Sequence, residues 1–346
     1  MSGLLLILAF AFRLAVPGWH YEFPRDHFSH PEFQTEWWYY TGNVKDAGGH
    51  RYGFELVFFR RGVEPRTTNP SAWRVDDVYL AHFAITDIDA GRFRYSSRVN
   101  RAGPGIAGVS AAEGRIWNGN WRVDWDLRND AQHLTAIAEG MRIDLRLTPR
   151  TGPVIHGAGG LSVTGPLPGQ ASYYVSFPRL SVEGTLNGAA VTGLAWMDHE
   201  WFTSLLNADQ KGWDWFSVQL DNGSELMLFD LRRADGAADP HSSGTFIPAS
   251  GKPVNLAAGD FRLEAVETWK SPKSGAQYPV KWRIRVPRLG ISLECAAAVK
   301  DQELYFGKGS GPSYWEGAVT YSGSAAGVGY LEMTGYSGGS ALGSLR

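Results

Sequence analysis

Carboxyl and imidazole side chains recur inside the most aromatic segments of this sequence. Glu36 directly precedes two tryptophans, His82 interrupts an apolar run, and Asp214 lies between two further tryptophans. Apolar surroundings disfavour the charged form of a carboxyl group, so its pKa rises and it can act as an acid. An aromatic face nearby can stabilise a cation, and polar groups converging in an apolar pocket are typical of a ligand site. We therefore predict that a hydrophobic small molecule is enclosed by Glu36, Trp37, Trp38, His82, Trp196, Trp213, Asp214 and Trp215.

The same residues admit a structural interpretation. Each acid could pair with an arginine nearby, or could face solvent at alternate positions of a strand. For any single residue the structural role is the simpler one, whereas the whole set favours a site. Both interpretations stand at the level of the sequence.

Two clusters contain the residue types that bind metals. His27 and His30 lie close to two acids, and Asp198, His199 and Glu200 are consecutive. Neither cluster has the spacing of a known zinc site. Consecutive residues of a strand also point to opposite faces, so an extended second cluster cannot converge on one ion. We predict hydrogen-bonded structural residues here and no metal.

Two glycine motifs match known patterns but lack their context. Residues 103–108 have the spacing of a dinucleotide-binding loop, and residues 335–339 have that of a serine nucleophile elbow. No βαβ unit surrounds the first, and no Asp, Glu or His follows the second. We therefore expect neither a nucleotide cofactor nor a serine hydrolase.

The composition is that of an ordinary globular protein rich in aromatic residues. The 346 residues include 14 Trp and 42 Gly, and the net charge is −2. Because no basic run is present, a nucleic acid is not an expected partner. The single cysteine, Cys295, excludes an intrachain disulfide, and its apolar neighbours predict a buried thiol.

Residues 1–18 have features of a secretory leader. The apolar run Leu4–Phe12 is too short to span a bilayer but fits the hydrophobic region of a signal peptide. No basic residue precedes the run, and Leu14–Val16 is a poor cleavage site. We expect export to the periplasm or cell envelope, with a frayed or membrane-peripheral N-terminus as the alternative.

Alternation of apolar and polar residues predicts an all-β protein. In residues 120–127, the side chains of Trp121, Val123, Trp125 and Leu127 would share one buried face. Helical periodicity is confined to short stretches, of which 203–209 is the candidate for a single short helix.

Two hairpins of similar composition indicate an internal repeat. Trp37–Val44 leads through a glycine turn to Phe54–Arg60, and Trp213–Leu220 leads in the same way to Leu226–Arg232. The similarity predicts two copies of one β-unit. Coincidence between two aromatic hairpins is the alternative.

The repeat divides the chain into two predicted domains after the leader, residues 19–190 and 191–346. The glycine-containing segments 166–170 and 187–190 are the candidate junctions between them.

Seven longer motifs extend over residues 20–338; they are Phe23–His27, His30–Phe33, Thr35–Asn43, Ala81–Ala84, Trp196–Trp201, Gly212–Phe216 and Gly329–Tyr336. Together they resemble the AttH/CrtC family, which includes the carotenoid 1,2-hydratases (hydroxyneurosporene synthases) and bacterial proteins labelled predicted secreted hydrolases. The resemblance implies two tandem lipocalin-like β-barrel or sandwich domains.

The resemblance also implies a set of site residues. The hydratases are hydro-lyases that add water to a terminal C=C bond of an acyclic carotenoid. Here His199 and Trp201 match their His-x-Trp element, and Asp230 matches their acid. In the implied mechanism, protonated Asp230 protonates the alkene, Trp201 shields the carbocation, and His199 positions or deprotonates the attacking water. Leu228 stands where the hydratases have a tyrosine, so this activity is in question, and we place Leu228 in the predicted ligand site.

Three functions remain open from the sequence. The first is an AttH/CrtC-type enzyme acting on a polyene or other isoprenoid, which requires Asp230 and His199 to face one cavity. The second is a lipocalin-like lipid carrier of the cell envelope without chemistry, which predicts that lipids quench the tryptophan fluorescence and, like the enzyme, requires a cavity. The third is a partner of an envelope transport system, which requires an exposed apolar patch.

Overall fold

The computed structural model describes residues 12–63, 68–235, 237–307 and 313–338. Within these residues the chain is almost entirely β-structure, as predicted, and its helical segments are three 3₁₀ turns at Arg25–His27, Ala258–Asp260 and Pro287–Leu289. Residues 203–209 form turns and extended chain instead of the expected helix. Most of the predicted leader lies outside the described residues. None of the described helical segments has the length and apolar character needed to cross a membrane.

The first sheet contains the strands from residue 35 to residue 202. They are β1 (Thr35–Asp46), β2 (Arg51–Gly62), β3 (Asp77–Asp87), β4 (Arg92–Arg101), β5 (Ala107–Ser110), β6 (Arg115–Asn118), β7 (Trp121–Asp126), β8 (Ala131–Ala138), β9 (Met141–Pro149), β10 (Val154–Ile155), β11 (Ser162–Val163), β12 (Ala171–Leu186) and β13 (Ala189–Phe202). Its order is β4-β3-β2-β1-β13-β12-β9-β8-β7-β6-β5, with β10 and β11 paired to β12.

The first sheet curls until its two ends meet. Asn100 of β4 donates a hydrogen bond from Nδ2 to Oδ1 of Asn118 at 2.6 Å, and Arg98 donates to the Asn118 carbonyl at 3.1 Å. Side chains therefore join β4 to β6 where strand pairing stops, and the sheet is close to a barrel.

The second sheet contains the strands from residue 210 to residue 333. They are β14 (Gln210–Leu220), β15 (Glu225–Arg233), β16 (Ser243–Ile247), β17 (Val254–Ala257), β18 (Arg262–Lys270), β19 (Gln277–Val286), β20 (Ile291–Ala297), β21 (Glu303–Leu304), β22 (Tyr314–Gly323) and β23 (Gly327–Met333). Its order is β17-β16-β15-β14-β23-β22-β20-β19-β18, with β21 paired to β22.

Both sheets have the same topology. In each, a meander of four strands runs outward from the first strand, and the first strand also pairs with the last, β1 with β13 and β14 with β23. The two similar hairpins found in the sequence are β1–β2 and β14–β15, at equivalent places in the two sheets. This is the fold expected of two tandem lipocalin-like units.

The change from one sheet to the other falls between Phe202 and Gln210, later than the boundary at residue 190 predicted from the sequence. The segment 187–190 is not a junction, because Leu186 and Ala189 are opposite each other and Asn187–Gly188 form the hairpin turn between β12 and β13. Both turn residues have positive φ, 51° and 87°, as a two-residue hairpin turn of this kind requires.

Where β1 and β13 run side by side at residues 35–42 and 195–202, neither face of the pair is open to solvent. Trp38 and Tyr40 of β1 pack into the interior of the first sheet, whereas Trp37 and Tyr39 pack into an aromatic layer between the two sheets. The second sheet has its own core on its other face, which includes Cys295, buried as expected. Each large apolar side chain fully buried in these layers contributes about 1.5–3 kcal/mol.

Strand β7 confirms the predicted alternation except at its end. Trp121, Val123 and Trp125 are buried on one face. Leu127 is 41% exposed because the strand ends at Asp126 and the chain turns, with Asp130 at a φ of 55°.

Candidate active site between the two sheets

The layer between the sheets is lined by aromatic rings from both of them. Trp37 lies nearly parallel to Trp213, with ring centroids 6.4 Å apart. The ring of Trp215 meets those of Tyr39 and Trp196 edge to face, at 5.3 Å and 6.0 Å. Alternation along β1, β13 and β14 positions these rings, because every second residue of each strand points to the other sheet.

Five carboxyl side chains share this layer with the rings. Glu55, Asp198 and Glu200 come from the first sheet, and Glu316 and Glu332 come from the second. Glu55, Asp198 and Glu316 are at most 3% exposed, while Glu200 and Glu332 are partly accessible. None of the five forms an ion pair with any residue that the structure describes.

Burial without a cation raises the pKa of every one of these acids. Desolvation raises the pKa of Glu55 and of Glu200 to about 8, and those of Asp198 and Glu332 to about 7. The pKa of Glu316 is also raised well above its ordinary value, by burial and by the nearby Glu55. At neutral pH this layer therefore holds carboxylic acids in their neutral form next to groups poised to ionise.

Asp198 is the most strongly hydrogen-bonded of the five. Its Oδ2 accepts from the hydroxyl of Tyr174 at 2.6 Å, and its Oδ1 accepts from Nε1 of Trp196 at 2.6 Å and from Ser176. These donors favour the carboxylate and oppose the effect of burial on the pKa. Trp215 donates in turn to the Tyr174 hydroxyl at 2.9 Å, which ties Asp198 to the second sheet.

Glu200 and Glu332 have fewer donors. Glu200 Oε2 lies 2.6 Å from the Ser172 hydroxyl, and Glu332 Oε2 accepts from Nε1 of Trp213 at 3.0 Å. Burial nevertheless has the largest effect on both, and it raises the pKa of Glu200 to about 8 although Ser172 and Trp37 oppose it. The layer thus combines a strongly hydrogen-bonded acid, Asp198, with Glu200, whose higher pKa makes it the better proton donor.

A second group of contacts joins the sheets deeper in the layer. Tyr314 donates to Glu55 Oε1 at 2.8 Å and lies 2.6 Å from Nδ1 of His82, while Tyr39 donates to Glu316 Oε1 at 2.6 Å. Burial lowers the pKa of His82 to about 3, so its ring is neutral. Since the Tyr314 proton goes to Glu55, we assign the Nδ1–H tautomer to His82, which then donates to the tyrosine oxygen.

The free volume inside this layer is about 30 Å³, room for about one water molecule. The residues around it are Trp37, Tyr39, Val57, Phe59, Asp198, Glu200, Leu205, Trp213, Trp215, Phe229, Tyr314 and Glu332.

The structure divides the predicted site residues among three places. Trp37, His82, Trp196, Trp213 and Trp215 lie in the layer between the sheets. Glu36, Trp38, His199 and Trp201 face the interior of the first sheet, because each is one residue out of phase with the layer. Asp214, Leu228 and Asp230 face the interior of the second sheet for the same reason.

Glu36 is the centre of a buried ion-pair network. Its Oε1 lies 2.7 Å from Nδ1 of His30 and 2.9 Å from Nε2 of His199, and its Oε2 accepts from Nε of Arg60 at 3.0 Å. Burial alone would raise the pKa of Glu36, but His30, His199 and Arg60 together hold it well below its ordinary value. Asp26 accepts from the other nitrogen of His30 at 3.1 Å. The acid is therefore a permanently charged partner of cations.

Two predicted aromatic residues stack on this network. Trp201 is nearly parallel to the His30 ring at 3.8 Å, and Trp38 lies over the His199 ring at 4.8 Å. Ligand atoms of His30, Glu36 and His199 lie within 4.8 Å of one another. They are hydrogen-bonded among themselves and Glu36 also contacts the Arg60 guanidinium, so the geometry is that of a closed network.

Asp230 lies apart from His199. It is half-buried on β15, and its hydrogen bond is to Ser242. Burial raises the pKa of Asp230. Asp214, opposite it on β14, is paired with Arg232 at 3.1 Å. The mechanism implied by the sequence needs Asp230, His199 and Trp201 around one cavity, and the described geometry does not bring them together.

Comparison with known proteins agrees with this two-sheet architecture. A sequence model of the AttH-like family matches residues 14–336. The chain belongs to the AttH-like family. A candidate AttH protein of Nitrosomonas europaea, with a crystal structure at 2.00 Å resolution, is 34% identical, with a TM-score of 0.85 over 94% of this chain and 99% of that one. No match was found among curated protein sequences.

A more distant neighbour shares the fold. The crystal structure of kievitone hydratase from Nectria haematococca is 15% identical, with a TM-score of 0.68 over 90% of this chain and 91% of that one. At this identity the likeness shows the two-sheet architecture of the AttH-like chain and no more.

Sequence reasoning did not place Glu55, Asp198, Glu200, Glu316 or Glu332 in the site. A signal was present for two of them, because Trp196, Asp198 and Glu200 alternate along one strand and must share a face. Glu55 carries no such signal, since a single Glu in an apolar strand gives no indication of what packs against it. Membership of the AttH-like family does not by itself indicate whether a residue lies in the layer between the sheets or in the interior of one sheet.

Proposed function

We propose that this AttH-like protein is an acid–base enzyme of the hydro-lyase type. It would add water to, or remove water from, an unsaturated hydrophobic small molecule held between the two sheets. The observation that carries the proposal is the set of five carboxyl groups in the aromatic layer that have raised pKa values and no ion-pair partner among the described residues. Kievitone hydratase has the same fold, and its name is consistent with this reaction class.

Glu200 is suited to be the proton donor. Its pKa of about 8 keeps it neutral at pH 7, and its position at the accessible part of the layer allows contact with a substrate. Transfer of this proton to a C=C bond creates a carbocation, and the faces of Trp37 and Trp213 would stabilise it by about 0.5–2 kcal/mol each.

Asp198 is suited to be the base. Three donors favour its carboxylate, and a pKa of about 7 lies close to the operating pH, where general-base catalysis is most effective. It would take a proton from the water that attacks the cation, which leaves a neutral alcohol. Asp198 then releases this proton to solvent and Glu200 takes one up, so that both acids return to their starting states.

The layer also indicates the substrate class. Acids without a nearby cation reject anions, so the substrate is neutral, and the aromatic lining favours an unsaturated or isoprenoid skeleton. A carotenoid or other polyene is the substrate that the family resemblance implies. Because the free volume is about 30 Å³, well below the roughly 300–1,000 Å³ of a ligand pocket, the rings at the mouth must move to admit it.

A carrier without chemistry fits this layer less well. A carrier needs a large apolar cavity, whereas the cavity here is small and is bordered by Asp198, Glu200 and Glu332. Burying three acids without a cation costs stability, and a carrier would gain nothing from them that offsets this cost.

The test is water addition by matched variants. Purified protein is incubated with neutral acyclic isoprenoid alkenes in water labelled with oxygen-18, and the labelled alcohol is measured by mass spectrometry. Glu200→Gln is expected to lower kcat by about 10²–10⁴-fold, and Asp198→Asn by a comparable factor. Glu183→Gln, an exposed acid on β12, is the control with unchanged kcat.

Asp230→Asn separates this proposal from the mechanism implied by the sequence. Loss of activity in Asp230→Asn, with full activity in Glu200→Gln and Asp198→Asn, would show that the proton donor is Asp230, in the interior of the second sheet. Absence of labelled alcohol from every substrate with the unaltered protein would count against a hydro-lyase, and a stoichiometric bound lipid would then favour the carrier.

A further inference from the structure

A large groove lies at the open seam of the second sheet, away from the layer between the sheets. Its volume is about 900 Å³, in the size range of small-molecule sites. Its walls come from the end of β15, from the 3₁₀ turn at Ala258–Asp260, and from β18 and β19. The groove exists because β17 and β18 are the two end strands of this sheet and are not paired in the described part of the chain.

The two sites are separate although β15 borders both. Phe229 lines the layer between the sheets, whereas Asp230, the next residue, lines the groove. The groove continues with Leu231, Arg232 and Arg233, so the two sites meet β15 at different points along the strand and share no lining residue.

The groove is strongly basic in a chain whose net charge is −2. Six basic and three acidic side chains line it. Arg283 pairs with Glu264 at 2.7 Å, and Arg232 pairs with the buried Asp214 at 3.1 Å. Among the described residues, Lys211, Arg262 and Arg285 have no ion-pair partner, and these three side chains are exposed.

Two of these cations are placed directly opposite each other. Arg262 of β18 faces Arg285 of β19 across the strand pair, and the next pair on the same face is Glu264 with Arg283. Like charges opposite each other in a sheet are destabilising, whereas the neighbouring pair is of opposite charge. An anion bound between Arg262 and Arg285 would remove this repulsion.

Apolar surface continues from the basic rim into the groove. Ala234, Ala237 and Ala258 line the groove with small apolar side chains, whereas Phe261 and Leu263, the neighbours of Arg262 in the chain, pack largely into the core of the second sheet. A ligand that contacts both the cations and the apolar side chains of the groove has an anionic head and an apolar body.

We propose that the groove at the seam of the second sheet binds an amphipathic anion, a long-chain carboxylate, with its head between Arg262 and Arg285 and its chain along the apolar side chains Ala234, Ala237 and Ala258. This inference is independent of the reaction proposed for the layer between the sheets. It gives the protein a second ligand class, since the acidic layer rejects anions and the groove selects them.

The experiment compares three probes by isothermal titration calorimetry below the critical micelle concentration. Dodecanoate is expected to bind the full-length protein, dodecan-1-ol at least about tenfold more weakly, and acetate not at all at millimolar concentration. Raising the ionic strength is expected to weaken dodecanoate binding because the charges are exposed.

Matched variants locate the site. Arg262→Gln with Arg285→Gln is expected to weaken dodecanoate at least tenfold, because both head-group contacts are lost. Arg142→Gln with Lys252→Gln, two exposed cations outside the groove, changes the net charge equally and is expected to leave the affinity unchanged. Circular dichroism checks that both variants are folded.

The proposal is overturned by equal binding of dodecanoate and dodecan-1-ol, by no binding of dodecanoate, or by equal losses in the two double variants. Acetate binding as tightly as dodecanoate would reduce the groove to a simple anion site and would also overturn it.

Discussion

Two buried glutamates on neighbouring strands have opposite electrostatic states. Glu36 of β1 is fully buried, yet its pKa is held low because Arg60 and His30 contact its two oxygens. Glu55 of β2 is equally buried, but its partner is the hydroxyl of Tyr314 and its pKa rises to about 8. Burial is the same in both places, so the presence or absence of a cation decides the charge.

The difference separates a structural role from a chemical one. A buried acid held by cations is locked in one protonation state and stabilises the fold only as part of its network. A buried acid without a cation can change protonation state near neutral pH, which is what proton transfer requires. The three predictions below test this distinction.

The largest effect is expected at Glu36. Glu36→Gln removes the acid that Arg60 and His30 share, so the free energy of unfolding should fall by up to about 3–5 kcal/mol. The two cations then keep one acid partner each, Asp77 and Asp26. The measurement is urea unfolding followed by tryptophan fluorescence. Glu200→Gln is the matched control and should cost under about 1 kcal/mol, because it replaces an acid that is already neutral. Equal losses in the two variants would contradict the comparison.

A middle-sized effect is expected at Tyr314. Tyr314→Phe removes the hydroxyl that joins Glu55 to His82, so two buried polar groups lose a partner and stability should fall by about 1–3 kcal/mol. Tyr95→Phe, which removes one half-buried bond to the Tyr305 carbonyl, serves as the comparison and should cost less. If the two tyrosine variants unfold at the same urea concentration, the hydrogen bonds of Tyr314 contribute no more to stability than the single bond of Tyr95.

The smallest effect is a change in the pH dependence of stability. Glu200 and Glu332 have folded-state pKa values of about 8 and about 7, above the ordinary 4.5, so the folded state binds more protons than the unfolded state between those limits. Stability contributed by these groups is therefore present at low pH and is lost as the pH rises from about 4.5 to about 8. The slope is at most about 1.4 kcal/mol per pH unit for each group.

Unfolding free energies measured from pH 6.5 to 8.5 test this. The double variant Glu200→Gln, Glu332→Gln should lose less stability over this range than the unaltered protein. The buried His82 does not interfere, because its pKa is lowered to about 3 and its effect lies below pH 6.5. Parallel curves for the two proteins would mean that the layer holds its acids in the charged form.

The sequence was sufficient for the fold but only in part for the site. Period-two alternation, the repeated aromatic hairpins and the family motifs predicted the strands and the two lipocalin-like units. The side of β1 and β13 that forms the layer between the sheets could not be predicted, because both faces of these strands are apolar and buried. From the sequence, Trp37 and Trp38 were therefore equally good candidates for the layer, and only Trp37 lies in it.

The charge state of the buried acids could not be predicted from the sequence either. Arg60 is closer to Glu55 along the chain, but the strand register places it directly opposite Glu36. Similarly, Asp230 matched the acid of the hydratases by its local sequence, whereas its strand position turns it toward the second interior. Register, which pairwise strand contacts determine, decides both outcomes.

The pairing of β1 with β13 has a consequence for synthesis on the ribosome. Strand β1 leaves the exit tunnel before the other strands of the first sheet, yet β13, which places Trp201 opposite Glu36, emerges after all of them. Even then Trp37 and Trp196 remain uncovered until β14 has been translated. We expect the nascent chain to expose this aromatic surface until β14 and its neighbours have formed the second sheet, and therefore to depend on chaperones that hold unfinished chains.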